Sequence, residues 1–188
     1  MDREKTFNDF KMLVRSLPPH KCKVYLLHGD MDDDEIHSLY VHPQIKSLLT
    51  LTHGEGFGLP IFVAAYSGLP VVAPGWSGQL DFLVNKKTGK SEFFNVEYDL
   101  QPIPEAVVWE GVIVKESMWA YPREHSAKQK MRECYANYDE ATTVAEQLKA
   151  RLYEEFSEEK QNALMVKTVC NTLSITTEKQ EEQVVEFE

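Results

Sequence analysis

The chain has 188 residues, 43% of them apolar and 27% charged, with a formal charge of −10 at pH 7. That size and balance suit one soluble domain with a sizeable core. The acidity argues against a general nucleic-acid or anionic-membrane partner, because such surfaces are held by clustered Lys and Arg.

No apolar run approaches the roughly 18 residues of a membrane span, and the opening MDREKTFNDF is too polar for a secretory signal, so a cytoplasmic location is expected. Cys22, Cys134 and Cys170 form no CxxC pair. They are expected as buried free thiols, with neither a zinc site nor a disulfide framework.

In chain order, Phe7, Phe10, Leu13, Val14 and Leu17 recur at helical spacing and stop before Pro18 and Pro19, which predicts a helix over about residues 5–17. KVYLLHG, residues 23–29, then reads as a short strand closed by Gly29. DMDDDEIHSLY places acidic residues where a helix dipole favours them and puts Ile36, Leu39 and Tyr40 on one face. Asp30, Asp32 and Asp34 imitate the start of a calcium loop, but Glu35 and Val41 stand where that loop needs glycine and glutamate.

IKSLLTLT predicts a second strand, and THGEGFGLP follows it. PIFVAAYSG reads as a short buried helix, with Pro60 in its first turn and Gly68 at its C-terminal end. LPVVAP is a third apolar strand. Strands separated by helices predict an α/β domain with a parallel, Rossmann-like sheet.

Residues 86–122 give mixed signals, although Phe94, Val96, Tyr98 and Leu100 alternate. After Pro122 a long helical stripe returns, with a break near Asn137 and Asp139 and a last helix capped by Ser157 and ending near Leu173. The segment from residue 178 to 188 holds five glutamates and one lysine, and residues 176–188 are expected to form a disordered acidic tail.

A strand that runs through a glycine-rich loop into a helix places free backbone N–H groups and the positive end of a helix dipole at the sheet's C-terminal edge, where an anion can sit. Gly54, Gly56 and Gly58 would let that backbone approach a phosphate closely. Glu55 repels phosphate, but it suits a ligand that also presents hydroxyls. A phosphate joined to a polyol is a sugar phosphate or a nucleotide sugar. On spacing alone, a tight turn of purely structural use explains the loop as well, since it is neither GxGxxG nor a P-loop.

The longer string from Glu55 to Leu83, EGFGLPIFVAAYSGLPVVAPGWSGQLDFL, resembles the donor-binding segment of retaining GT-B glycosyltransferases, especially glycosyltransferase family 4. The matching residues are Glu55, Gly56, Phe57, Gly58, Leu59 and Pro60, then Ala64, Gly68, Pro70, Val71, Val72 and Ala73. The resemblance implies that residues 1–175 form part of a C-terminal, nucleotide-sugar-binding GT-B domain, transferring a sugar with retention of configuration.

By position, Glu55 would hold the donor-sugar hydroxyls as the catalytic residue. His53, Gly54, Gly56, Phe57, Gly58 and Leu59 would surround the sugar and diphosphate. The scheme requires no metal or other cofactor, because the leaving diphosphate needs charge stabilisation rather than a base. The family's second glutamate, a ribose ligand, falls at Val63, which cannot accept a hydroxyl bond. The family's basic pair is matched locally only by Arg3 and Lys5, and the unit that bears it would lie before residue 1.

The implied partners are a nucleotide sugar and an acceptor domain or partner chain. The alternative is a degenerate, non-catalytic nucleotide-sugar-binding module that acts with another chain. Trp76 and Ser77 follow the third strand, so their loop can border the same pocket, although area burial is the expected role of Trp76. His28, His37, His42 and His53 lie on different elements without metal-ligand spacing, and Asp81 reads as a surface carboxylate.

Overall fold

A computed structural model describes residues 2–173, and the acidic-tail expectation lies outside them. The chain divides into two compact units, Met1–Ile36 and His37–Glu188.

The first unit opens with helix α1, Arg3–Ser16, close to its predicted bounds. Asp2 is the N-cap, accepting hydrogen bonds from the amides of Glu4 and Lys5. No residue of α1 is buried. Residues 23–29 do not form the expected strand: their backbone is irregular, and Val24, Tyr25, Leu26 and Leu27 are between 40% and 80% exposed. An apolar run becomes a strand only where a neighbouring backbone completes its ladder, and no described strand pairs with this one.

Helix α2, Asp33–Tyr40, begins at this unit's end with a reciprocal cap. The Glu35 amide donates to Asp32 Oδ1 at 2.9 Å, and the Asp32 amide donates to Glu35 Oε2 at 3.1 Å. Of the aspartates that imitate a calcium loop, Asp32 and Asp34 are thereby part of a helix start.

The second unit is built on a three-stranded parallel sheet in the order β1 (Leu48–Leu49), β2 (Val71–Pro74), β3 (Phe94–Val96). Leu48 pairs with Val71, and Val72 with Phe94. The expectation of an α/β parallel sheet is met, with β3, from the stretch of mixed signals, as its third strand. The central strand β2 is buried along its whole length. The run IKSLLTLT contributes only two ladder residues.

Helix α3, Leu59–Tyr66, follows β1 through the glycine loop and buries Ile61, Ala64 and Ala65. Gly68 ends it in the left-handed region, φ +81°, as its sequence position suggests. A short helix α4, Leu80–Leu83, follows β2 and buries Phe82 and Leu83. Then β4 (Tyr98–Pro102) and β5 (Met118–Pro122) form an antiparallel pair, with Tyr98 opposite Pro122 and Pro102 opposite Met118.

Three helices complete the described chain: α5 (Glu124–Ala136), α6 (Tyr138–Glu155) and α7 (Glu158–Thr172). The predicted break falls at Asn137, and the Ser157 side chain caps α7.

One core cluster joins α3, β2, α4 and α6 through Ile61, Val71, Phe82, Leu83, Leu148 and Leu152. Another packs α5 on the sheet through Val72, Val96, Ala127 and Cys134. Arg151 of α6, with little solvent exposure, is held by Glu92 at 2.8 Å and Glu155 at 2.7 Å, and it also donates to the Phe82 carbonyl. That network fixes the helical layer under the sheet.

The expectation of three buried thiols holds for Cys134 alone. Cys22 is exposed and Cys170 half-buried, each free. Burial pushes the Cys134 thiol up from its ordinary pKa. Among the described residues no helix is long and apolar enough to cross a membrane.

Candidate functional site

Because β1 and β2 run parallel, the loops that leave them emerge at the same end of the sheet. The loop after β1 carries the three glycines, and the loop after β2 carries Trp76, Ser77 and Gly78. These two loops are clasped together. Ser77 Oγ donates to the Glu55 carbonyl at 2.7 Å and accepts from the Glu55 amide at 3.2 Å, while the Gly78 amide donates to the Glu55 carbonyl at 3.0 Å.

The approach leaves no room for a side chain at residue 78, where a Cβ would lie 2.0 Å from the Gly56 carbonyl oxygen. Ser77 is the described non-glycine residue with positive φ, +75°, a conformation that costs a β-carbon-bearing residue energy and is held here by its two bonds to Glu55.

Beyond the clasp the glycine loop enters α3. Gly58 stands at the N-cap with φ +86°, and its carbonyl accepts the first helical bond from Phe62. It offers no side chain as a cap, and Pro60 has no N–H, so the amides of Leu59 and Ile61 open the helix without a side-chain partner. Beneath Gly58 lies Gln79, fully buried, whose Nε2 donates to the Pro74 carbonyl at 3.1 Å. Its Oε1 has no hydrogen-bond partner.

The third wall comes from β5. His53 and Ala120 exchange backbone and side-chain bonds: the Ala120 amide donates to the His53 carbonyl at 3.1 Å, and His53 Nδ1 lies 2.8 Å from the Ala120 carbonyl. A carbonyl only accepts, so Nδ1 carries the proton and Nε2 of the neutral ring is an acceptor. The imidazole stacks on Trp119 at 5.0 Å, with 7° between the planes, and tilts against Tyr121 at 4.4 Å.

These three segments enclose an open cleft of about 600 Å³. His53, Gly54, Glu55 and Gly56 line it from the glycine loop, Trp76 and Ser77 from the loop after β2, and Met118 and Trp119 from β5.

The structure therefore brings together His53, Gly54, Glu55 and Gly56, along with Trp76 and Ser77. The other residues expected at the site stand apart from the cleft walls. Phe57 turns its ring into an aromatic cluster, 5.3 Å from Phe62 and 5.1 Å from Phe82. Gly58 is buried, Leu59 is exposed on the first turn of α3, and Val63 is half-buried within that helix. Asp81 is exposed and pairs with Lys86 at 3.1 Å, as a surface carboxylate.

The sequence reading missed Met118 and Trp119, which fall in the stretch whose signals were mixed. The short apolar run MWAYP, closed by Pro122, is the signal that could have found them.

A cleft with one carboxylate, an oriented imidazole, two indoles and nearby helix-start amides can accept hydroxyl hydrogen bonds, cover an apolar ring face and attract an anion. Among the described residues no three His, Cys, Asp or Glu side chains cluster closely enough to hold a metal ion. Compared with protein-family models, with curated proteins and with solved structures, the chain matches none significantly.

Proposed function

We propose that this chain is the donor-binding part of a retaining, GT-B-like glycosyltransferase, holding a nucleotide sugar while an acceptor domain or partner chain presents the acceptor. The observation that carries the reading is the glycine loop itself. It leaves a parallel strand, carries Glu55 into a cleft, and ends at a helix whose first amides have no side-chain cap. Glu55 would accept the sugar hydroxyls, and the backbone of residues 54–58 would receive the diphosphate. Loss of the diphosphate is eased by oriented N–H dipoles and needs no base on this chain. The Rossmann-like GT-B assignment and a cytoplasmic setting belong to the same reading.

A second reading, a degenerate module that binds without catalysing, is favoured by Val63. A valine half-buried in α3 accepts no ribose hydroxyl, and a missing charge-assisted bond weakens binding by about 1.5–3 kcal/mol. Calorimetry with UDP-glucose and GDP-mannose tests the first reading: one of them binds the chain, and Glu55→Ala weakens that sugar nucleotide far more than it weakens the matching diphosphate. Equal loss for both ligands would remove Glu55 from the sugar. Val63→Glu separates the two readings, since tighter diphosphate binding in that variant would identify residue 63 as a lost ribose contact.

A further inference from the structure

Trp119 is a large apolar side chain left half-buried on the wall of this open cleft, and Met118 beside it is exposed. Apolar area of that size costs free energy in water unless something covers it. The indole is also fixed in advance. One face lies against the His53 ring at 5.0 Å and nearly parallel, and that ring is held in turn by the Ala120 carbonyl and by Tyr121. A platform ordered before binding spends little entropy when a ligand arrives.

The same cleft holds Glu55, and Trp76 stands across from it with its indole edge within 3.6 Å of the position a Cβ would take on Gly54. A pyranose matches this combination, having a C–H face for an indole and a rim of hydroxyls for a carboxylate. A nucleobase also offers a ring face and N–H donors, but it is common to the sugar nucleotide and its diphosphate, so comparing the two ligands separates sugar from base.

We infer that Trp119 is the stacking platform for the sugar ring of the nucleotide-sugar donor, placing that ring where Glu55 accepts its hydroxyls. This rests on the nucleotide-sugar reading above. Trp119 acts here as a specificity residue: it discriminates a sugar nucleotide from the bare diphosphate, and it discriminates among sugars by the width of their apolar face.

The test compares wild type, Trp119→Ala and Trp119→Phe, each as the full chain, by calorimetry with UDP-glucose, GDP-mannose, UDP and GDP. For the sugar nucleotide that wild type binds, Trp119→Ala should weaken affinity at least tenfold while the matching diphosphate stays within twofold, and Trp119→Phe should retain most of the affinity. Equal weakening of both ligands would overturn the inference, because the indole would then serve the base or the fold. Unchanged affinity for the sugar nucleotide would overturn it as well. If wild type binds none of the four compounds, the nucleotide-sugar reading falls first and takes this inference with it.

Should Trp119→Ala fail to fold, fluorescence decides. Of the chain's three tryptophans, Trp76 and Trp119 line the cleft, and Trp109 is 67% exposed elsewhere. In a Trp76→Phe, Trp109→Phe background, where Trp119 is the remaining tryptophan, the sugar nucleotide should change the emission well beyond the change its diphosphate causes. Equal changes would overturn the inference.

Discussion

Residues 24–27 and residues 71–73 are both short apolar runs, VYLL and VVA, each a natural strand on composition. The second became the central strand of a parallel sheet, with ladders on both sides and every residue buried. The first has no strand pairing and stays largely exposed. β-propensity measures how well a side chain fits a pleated, covered surface, so the same composition gives a strand only where partners supply the cover. Only the second run can position chemistry, because a loop is aimed by the rigidity of the strand that it leaves.

The largest expected effect comes from placing a charge in each run. Val72→Asp would bury an unpaired carboxylate between two ladders and should destabilise the second unit by about 3–5 kcal/mol. Leu27→Asp should stay within about 0.5 kcal/mol. Urea titration of both variants measures the contrast, and comparable losses would mean that residues 24–27 are covered in solution.

Next in size are the glycines that follow the two runs. Gly78→Ala drives a methyl group into the Gly56 carbonyl and must open the clasp, at a cost of about 2–3 kcal/mol. Gly29→Ala meets nothing within 4 Å and should change stability by no more than about 0.5 kcal/mol. Thermal melts of the pair check this, and sugar-nucleotide binding should be lost with Gly78→Ala alone.

The smallest effect lies at the hairpin that carries Trp119. Arg123 joins β4 to the start of α5 by donating to Asp99 at 2.6 Å and 2.9 Å and to Glu97 at 3.2 Å. Hydrogen bonds from Arg123, with its charge, hold the Asp99 carboxyl below the usual carboxylate range. A depressed folded pKa contributes stability above the unfolded pKa, and that contribution is lost as pH falls through the folded one. Asp99→Asn should therefore lower the melting midpoint slightly at neutral pH and not at all once pH is below the folded value. An equal loss at both pH values would assign Asp99 a packing role instead.

Much of this architecture was legible in the sequence because its signals are local. Helical spacing placed α1, Pro60 and Gly68 bounded α3, Ser157 marked the start of α7, and the glycine string placed the loop between a strand and a helix. What was not legible depends on residues far apart in sequence. Trp119 belongs to the cleft because Ala120 bonds His53, 67 positions earlier. Gly78 must be glycine because of the Gly56 carbonyl, which periodicity along one segment does not reveal. Residues 23–29 failed for the same reason in reverse, since the local pattern was right and the pairing was missing. Phe57 sits inside the matched string, yet its ring is claimed by Phe62 and Phe82.

The central claim is that the backbone of the glycine loop receives the anionic part of a nucleotide sugar. The nine glycines of the chain make this directly observable. With glycine-selective ¹⁵N labelling, adding UDP-glucose or GDP-mannose, whichever binds, should shift the amide signals of Gly54, Gly56 and Gly58. Those of Gly89 and Gly111, which have open surroundings and are not among the cleft's lining residues, should stay in place. Shifts confined to Gly89 and Gly111, or no shift for any glycine with either compound, would contradict the account.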